Sequence, residues 1–231
     1  GVFLFPAFFF RFLNTSKTNL FNLKNRVNPT VLLLCIMLFI SLLPTVNVLI
    51  GFNAQISFPE NFTQIGQWFK EIQIKQEQLI EKFTRMNTLK DFFLNVFVMA
   101  LVPAFGEELF FRGVLQKTAV KWKKNIHFAV FLTAFLFALT HQQFYTFIPI
   151  MFLGTILGYI YYLTANIWLP IIIHFLNNFL AILASYLKQQ NKFLNSIEDF
   201  VVLQNNSIFL MVSILISGVL FFILYKKRSL V

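Results

Sequence analysis

Apolar residues fill six long runs of this chain, at about 31–52, 91–116, 126–142, 144–163, 166–187 and 207–225, with short polar connections between them. A helix needs about 20 residues to cross the roughly 30 Å hydrocarbon core of a bilayer. The pattern therefore predicts an all-α polytopic membrane protein: a bundle of about six core transmembrane helices enclosing a polar cavity. The first stretch, GVFLFPAFFFRFL, is too short to cross. It is expected to be an interfacial helix or part of a spanning segment, an additional partial element within a hydrophobic and basic segment at 1–30.

The longest piece without a spanning run lies between 53 and 90 and has a different rhythm. Within IGQWFKEIQIKQEQLIEKFTRM, residues Ile65, Trp68, Phe69, Ile72, Leu79, Ile80 and Phe83 recur at helical spacing with charges between them. This predicts an amphipathic helix outside the membrane core, resting on the bundle or on lipid headgroups, or gating access for a substrate.

Composition fits one membrane domain over 1–231: 58% of residues are hydrophobic and 12% charged, against roughly half and about a quarter in soluble domains. The net charge of +10 does not indicate a nucleic-acid partner, because the basic residues cluster between apolar runs rather than on one face. They act instead as topology signals. Arg11, Lys17, Lys24 and Arg26 precede the first run; Lys117, Lys121, Lys123 and Lys124 follow the second; Lys226, Lys227 and Arg228 follow the last. Six alternating crossings put all three clusters on one side, which the positive-inside rule makes the cytoplasm, with both termini there. The connection at 188–199 balances Lys188 and Lys192 against Glu198 and Asp199. Cys35 is the single cysteine and sits in an apolar run, so it reads as a small buried hydrophobe. Asn-x-Ser/Thr triplets at Asn14, Asn61 and Asn205 matter only in a secretory pathway.

Against this apolar background a few ionisable and amide groups stand out, and such groups inside a membrane carry function by default. They are Glu107, Glu108 and Arg112 in the second run, His141 ending the third, and His174 with Asn177 and Asn178 in the fifth. Glu108 and Arg112, four residues apart on one helical face, can form a bidentate ion pair that lowers the cost of burial. Glu107 lies about 100° around the helix, without a local partner. At about 1.5 Å per residue from the basic flanks, Glu107 lies roughly 15 Å deep, His174 and Asn178 roughly 12 and 18 Å, and His141 roughly 24 Å. The first three share a layer, whereas His141 is too deep unless its helix starts later, tilts or breaks.

These are the groups that amide hydrolysis requires. A carboxylate in an apolar cavity, paired with a neutral imidazole, can hold and deprotonate water; a second imidazole and a carboxamide can stabilise an oxyanion. Glu107 with His141, and His174 with Asn178, supply the two halves. The bland alternative is that these groups only join helices.

Three motifs, EELFFR from Glu107 to Arg112, FALTH from Phe137 to His141 and HFLNN from His174 to Asn178, occur in order on separate apolar runs. Together they resemble the CAAX protease and bacteriocin-processing (CPBP or Abi) family of intramembrane proteases, which includes type II CAAX prenyl endopeptidases. That family's pattern is Glu-Glu-x-x-x-Arg, Phe-x-x-x-His and His-x-x-x-Asn. The resemblance covers about 91–187, the expected catalytic core. It implies a membrane-embedded cavity in which Glu107 activates water with His141, His174 and Asn178 form an oxyanion hole, and Glu108 with Arg112 keeps the geometry. It also implies a membrane-associated peptide or protein substrate, either a prenylated C-terminal tail or a bacteriocin-type peptide, and a bacterial plasma membrane as its location.

A metal-free glutamate mechanism is favoured over a zinc site made by Glu107, His141 and His174, since no His-Glu-x-x-His helix is present. Two other functions share these features. One is a non-catalytic immunity or scaffold protein of the same fold; the other is a proton-coupled transporter, which the lack of inverted repeats disfavours.

Overall fold

The computed structural model describes residues 3–13, 21, 23–56, 60–190 and 207–228. Asn14, Lys17, Lys192, Glu198, Asp199 and Asn205, noted above, lie outside the described residues. Among those described, every regular element is a helix: α1 Leu4–Leu13, α2 Pro29–Ala54, α3 Thr63–Phe83, α4 Leu89–Lys123, α5 Ile126–His141, α6 Phe147–Thr164, α7 Trp168–Gln189 and α8 Ser207–Arg228. Five of them, α2, α4, α6 with the turn before it, α7 and α8, are long and apolar enough to cross a bilayer. The chain is an integral membrane protein. α5, the sixth expected span, has 16 residues, about 24 Å of helix, and is shorter than the core it would cross.

Local chemistry sets the helix ends. Asn28 caps α2 by accepting from Thr30 N at 2.9 Å, with Pro29 opening the helix. Thr88 and Asp91 form a reciprocal capping box at the start of α4. Asn125 caps α5 through Phe128 N at 3.1 Å. The turns after α4, α5 and α6 are made by Lys124, Gln142 and Ala165, all left-handed with φ of 52, 54 and 49°. That conformation normally selects glycine, and none of the three positions has one.

α4 is one continuous helix of 35 residues with two π-helical stretches, Val96–Leu101 and Leu109–Gln116. The first immediately precedes Pro103, whose ring clashes with the carbonyl of residue 99 in a regular helix, so the wider turn accommodates it. The second carries Arg112 and Gln116, and both side chains reach α6. Arg112 Nη2 donates to the Gly154 carbonyl at 2.9 Å and Gln116 Nε2 to the Gly158 carbonyl at 3.0 Å. These glycines also let α5 approach α6 closely. A Cβ on Gly158 would lie 3.0 Å from Val130 Cγ1, and one on Gly154 would lie 3.3 Å from Phe137 Cδ1.

The remaining helices enclose this core. Cys35 and Phe39 of α2 pack with Leu157 and Ile160 of α6, Leu169 and Ile173 of α7 and Leu224 of α8; Cys35 is fully buried, as its setting in the sequence implied. A polar seam joins α2 to α8 within the apolar layer: Ser41 and Ser217 hydroxyls are 2.8 Å apart, and Ser213 donates to the Ser41 carbonyl. α1 is short, as expected, and rests on α4 through the buried Ala7 and through Phe3 against Phe110 and Phe111. α3 forms where the amphipathic pattern placed it, but it buries no residue. Ile65, Trp68, Leu79, Ile80 and Phe83 stay exposed, while Phe69 meets the ring of Phe144 at 5.2 Å.

Candidate active site

Glu108 is fully buried at the centre of α4, and each of its oxygens meets a different partner. Oε2 lies 3.0 Å from Arg112 Nε, and Oε1 lies 2.8 Å from His174 Nδ1 on α7. The bidentate pair expected from the spacing does not form, because Arg112 directs Nη2 at the Gly154 carbonyl. The Glu108–Arg112 contact is an ion pair without hydrogen-bond alignment. The Arg112 guanidinium also lies 5.0 Å from the centre of the Phe137 ring, a further favourable setting for a buried cation.

Those contacts determine which nitrogen of His174 faces the site. A carboxylate paired with arginine accepts, so His174 Nδ1 carries the hydrogen; this assignment follows from the bonding network. His174 Nε2 then points toward Glu107, 3.8 Å from Oε2. The Glu107 side chain is 14% exposed, and its Oε2 is buried without a hydrogen-bond partner. The sequence also left Glu107 free to face a cavity, whereas it is absent from the wall of the cavity described below.

His141 follows the same logic. Its Nδ1 lies 2.8 Å from the Phe137 carbonyl, which can only accept, so Nε2 is again the nitrogen left for the site. Thr140 Oγ1 donates to the same carbonyl at 2.7 Å. α5 starts at Ile126, directly after its cap, so a late start does not reconcile the expected depth of His141. Its ring nonetheless lines one cavity with His174 and Asn178.

A cavity of about 70 Å³ is lined by His141, His174, Asn177, Asn178 and Phe137, with aliphatic side chains from α2, α6 and α7 around it. Asn178 Oδ1 accepts from Asn177 Nδ2 at 3.3 Å, leaving Asn178 Nδ2 as a donor. Asn177 thus orients Asn178. Phe137 holds the two imidazoles in place: its ring centre lies 4.7 Å from that of His141 and 5.6 Å from that of His174. Glu107 is not part of the cavity wall and adjoins it through His174. Both histidines are within electrostatic reach of its carboxylate.

Among the described residues, no three His, Cys, Asp or Glu side chains are grouped so as to hold a metal ion. Glu107, His141 and His174 come close to one another without forming a ligand set, and no step below involves a metal. Sequence reading missed the partners that fix the site: Gly154, Gly158 and Gln116. Their signal was the GTILG stretch in an apolar run, a small-xxx-small pattern that permits close helix contact.

No curated protein and no solved structure matches the chain. A family model does match: residues 89–180 fit the one described as type II CAAX prenyl endopeptidase Rce1-like. The matched segment runs from the first residue of α4 into the fourth turn of α7 and contains Glu107, Glu108, Arg112, His141, His174 and Asn178. Over this segment the chain is similar to the type II CAAX prenyl endopeptidase Rce1-like family.

Proposed function

We propose that the protein is an intramembrane endopeptidase that hydrolyses a peptide bond of a membrane-associated substrate by glutamate-activated attack of water. The observation that carries this reading is Glu107 Oε2, buried without a hydrogen-bond partner and 3.8 Å from His174 Nε2. A carboxylate in that setting is a competent base for a water held between it and the imidazoles. The His141 Nε2 lone pair accepts from the same water and orients it. Glu107 takes one proton, the hydroxide adds to the carbonyl carbon, and the oxyanion is met by Asn178 Nδ2–H and by His174 Nε2 when that ring carries its second proton. Glu107 then returns its proton to the leaving amine as the C–N bond breaks. Glu108 and Arg112 take no part in proton transfer; they hold His174.

The family match and the apolar wall of the cavity favour a substrate presented from the membrane, either a prenylated tail or a bacteriocin-type peptide. In this reading the membrane is a bacterial plasma membrane, and the basic clusters favour cytoplasmic termini. Mass spectrometry of peptides from cells carrying the intact or the Glu107→Gln protein tests the reading. Peptides found only with the intact protein are expected; identical peptide sets would contradict a protease and leave the scaffold reading.

A further inference from the structure

Asn53 is the least expected buried polar residue in the molecule: it stands at the end of an apolar spanning helix and is 1% exposed. Both ends of its amide are bonded to residues more than 90 positions away in sequence. Nδ2 donates to the Phe144 carbonyl at 3.0 Å, and Oδ1 accepts from Ile148 N at 2.7 Å. Ile148 N is one of the first amides of α6, which have no partner within the helix. Thr146, at the capping position, makes no side-chain cap bond, so Asn53 caps α6 from α2.

The segment held in this way begins immediately after His141. Gln142 takes the left-handed conformation, with φ of 54°, a region that side-chain-bearing residues rarely occupy without external support. A second restraint reaches the same turn from the surface helix α3. Gln73 Oε1 accepts from Tyr145 N at 3.3 Å, and the rings of Phe69 and Phe144 lie 5.2 Å apart. α5 ends at His141, so the ring depends on this turn to keep its last helical turn closed and its Nδ1 on the Phe137 carbonyl.

We propose that Asn53 is a positioning residue for His141: by clamping the 142–148 turn it fixes the tautomer and direction of that imidazole, with Gln73 as a weaker second clamp from α3. This deepens the hydrolase reading, which it needs only for what the ring does and not for how the ring is held.

The chain has three histidines, 127, 141 and 174, so ¹⁵N-histidine NMR of the full-length protein in detergent micelles can follow each ring without a substrate. His127, whose Nδ1 lies 2.7 Å from the Tyr159 hydroxyl, and His174, held by Glu108, serve as internal references. The wild type is expected to show His141 as a single Nδ1–H tautomer. Asn53→Ala should give mixed tautomers at His141 with the other two rings unchanged. Asn53→Asp, which keeps the acceptor for Ile148 N, should restore part of the wild-type signal. Gln73→Ala, on an exposed helix, should move His141 in the same direction by less, and it remains informative if Asn53→Ala fails to fold. An unchanged His141 in the folded variants, or equal changes at all three rings, would overturn the proposal. Failure of the hydrolase reading itself would appear separately, as absence of peptide cleavage with these ring signals intact.

Discussion

His174 Nδ1 lies 2.8 Å from Glu108 Oε1, and this contact sends the opposite ring nitrogen toward Glu107. Adjacent glutamates of one helix thus take different parts: Glu108 has a close charged partner on each oxygen, at 3.0 and 2.8 Å, whereas the buried Glu107 Oε2 has only His174 Nε2 at 3.8 Å. The two should respond differently to the same substitution. Glu108→Gln leaves the Arg112 guanidinium buried without its counter-charge, and breaking a buried pair costs about 3–5 kcal/mol. Glu107→Gln removes no ion pair with Arg112 and should change stability by about 1 kcal/mol or less. Unfolding of both variants in mild detergent checks the contrast.

Asn178→Ala removes one donor to the oxyanion and leaves the water-activating groups in place. Its kcat should fall by about 10²–10³, with KM nearly constant because the contact is made mainly in the transition state. Steady-state kinetics on a cleaved peptide measures this. A rise in KM with unchanged kcat would reassign Asn178 to substrate binding.

Gly158→Ile puts a branched side chain where even a Cβ would lie 3.0 Å from Val130 and 3.2 Å from Gln116 Oε1. Over-packing of this kind costs about 1–3 kcal/mol. It should also displace Gln116 from the Gly158 carbonyl and pull α6 away from α4, so activity should fall although the position is remote from Glu107. Thermal unfolding and peptide cleavage, measured together, test both effects.

Ala165→Gly has the opposite sign. Ala165 closes α6 at φ of 49°, and its carbonyl accepts from Asn25 Nδ2 at 3.1 Å, a bond that the substitution leaves intact. Glycine relieves the left-handed strain, and a gain of about 0.5–1 kcal/mol is expected in unfolding measurements.

The sequence displayed the parts of this molecule that depend on one helix at a time. Apolar run length located five of the six expected spans, the spacing of Ile65, Trp68, Leu79 and Phe83 located α3, and isolated charges in apolar surroundings singled out Glu107, Glu108, Arg112, His141 and His174 as candidates. Contacts between helices were not legible. A spacing of four residues implied a bidentate Glu108–Arg112 pair, but the Gly154 carbonyl on α6 competes for the same guanidinium. Axial counting set His141 apart from His174 and Asn178, yet all three line one cavity, because the count follows one helix and not how the helices pack. Asn53 and Gln116 look unremarkable in sequence; their importance comes from the backbone groups of α6 and of the turn before it.

The central claim is that Glu107 activates the water that cuts the substrate. Its most direct test is cleavage by purified protein in lipid nanodiscs in H₂¹⁸O, with wild type and Glu107→Gln compared on a peptide identified from the cellular profile. The wild type should place one ¹⁸O in each new carboxyl terminus, and the variant, equally folded, should be slower by about 10²–10⁴. Equal cleavage rates in the two proteins would contradict it.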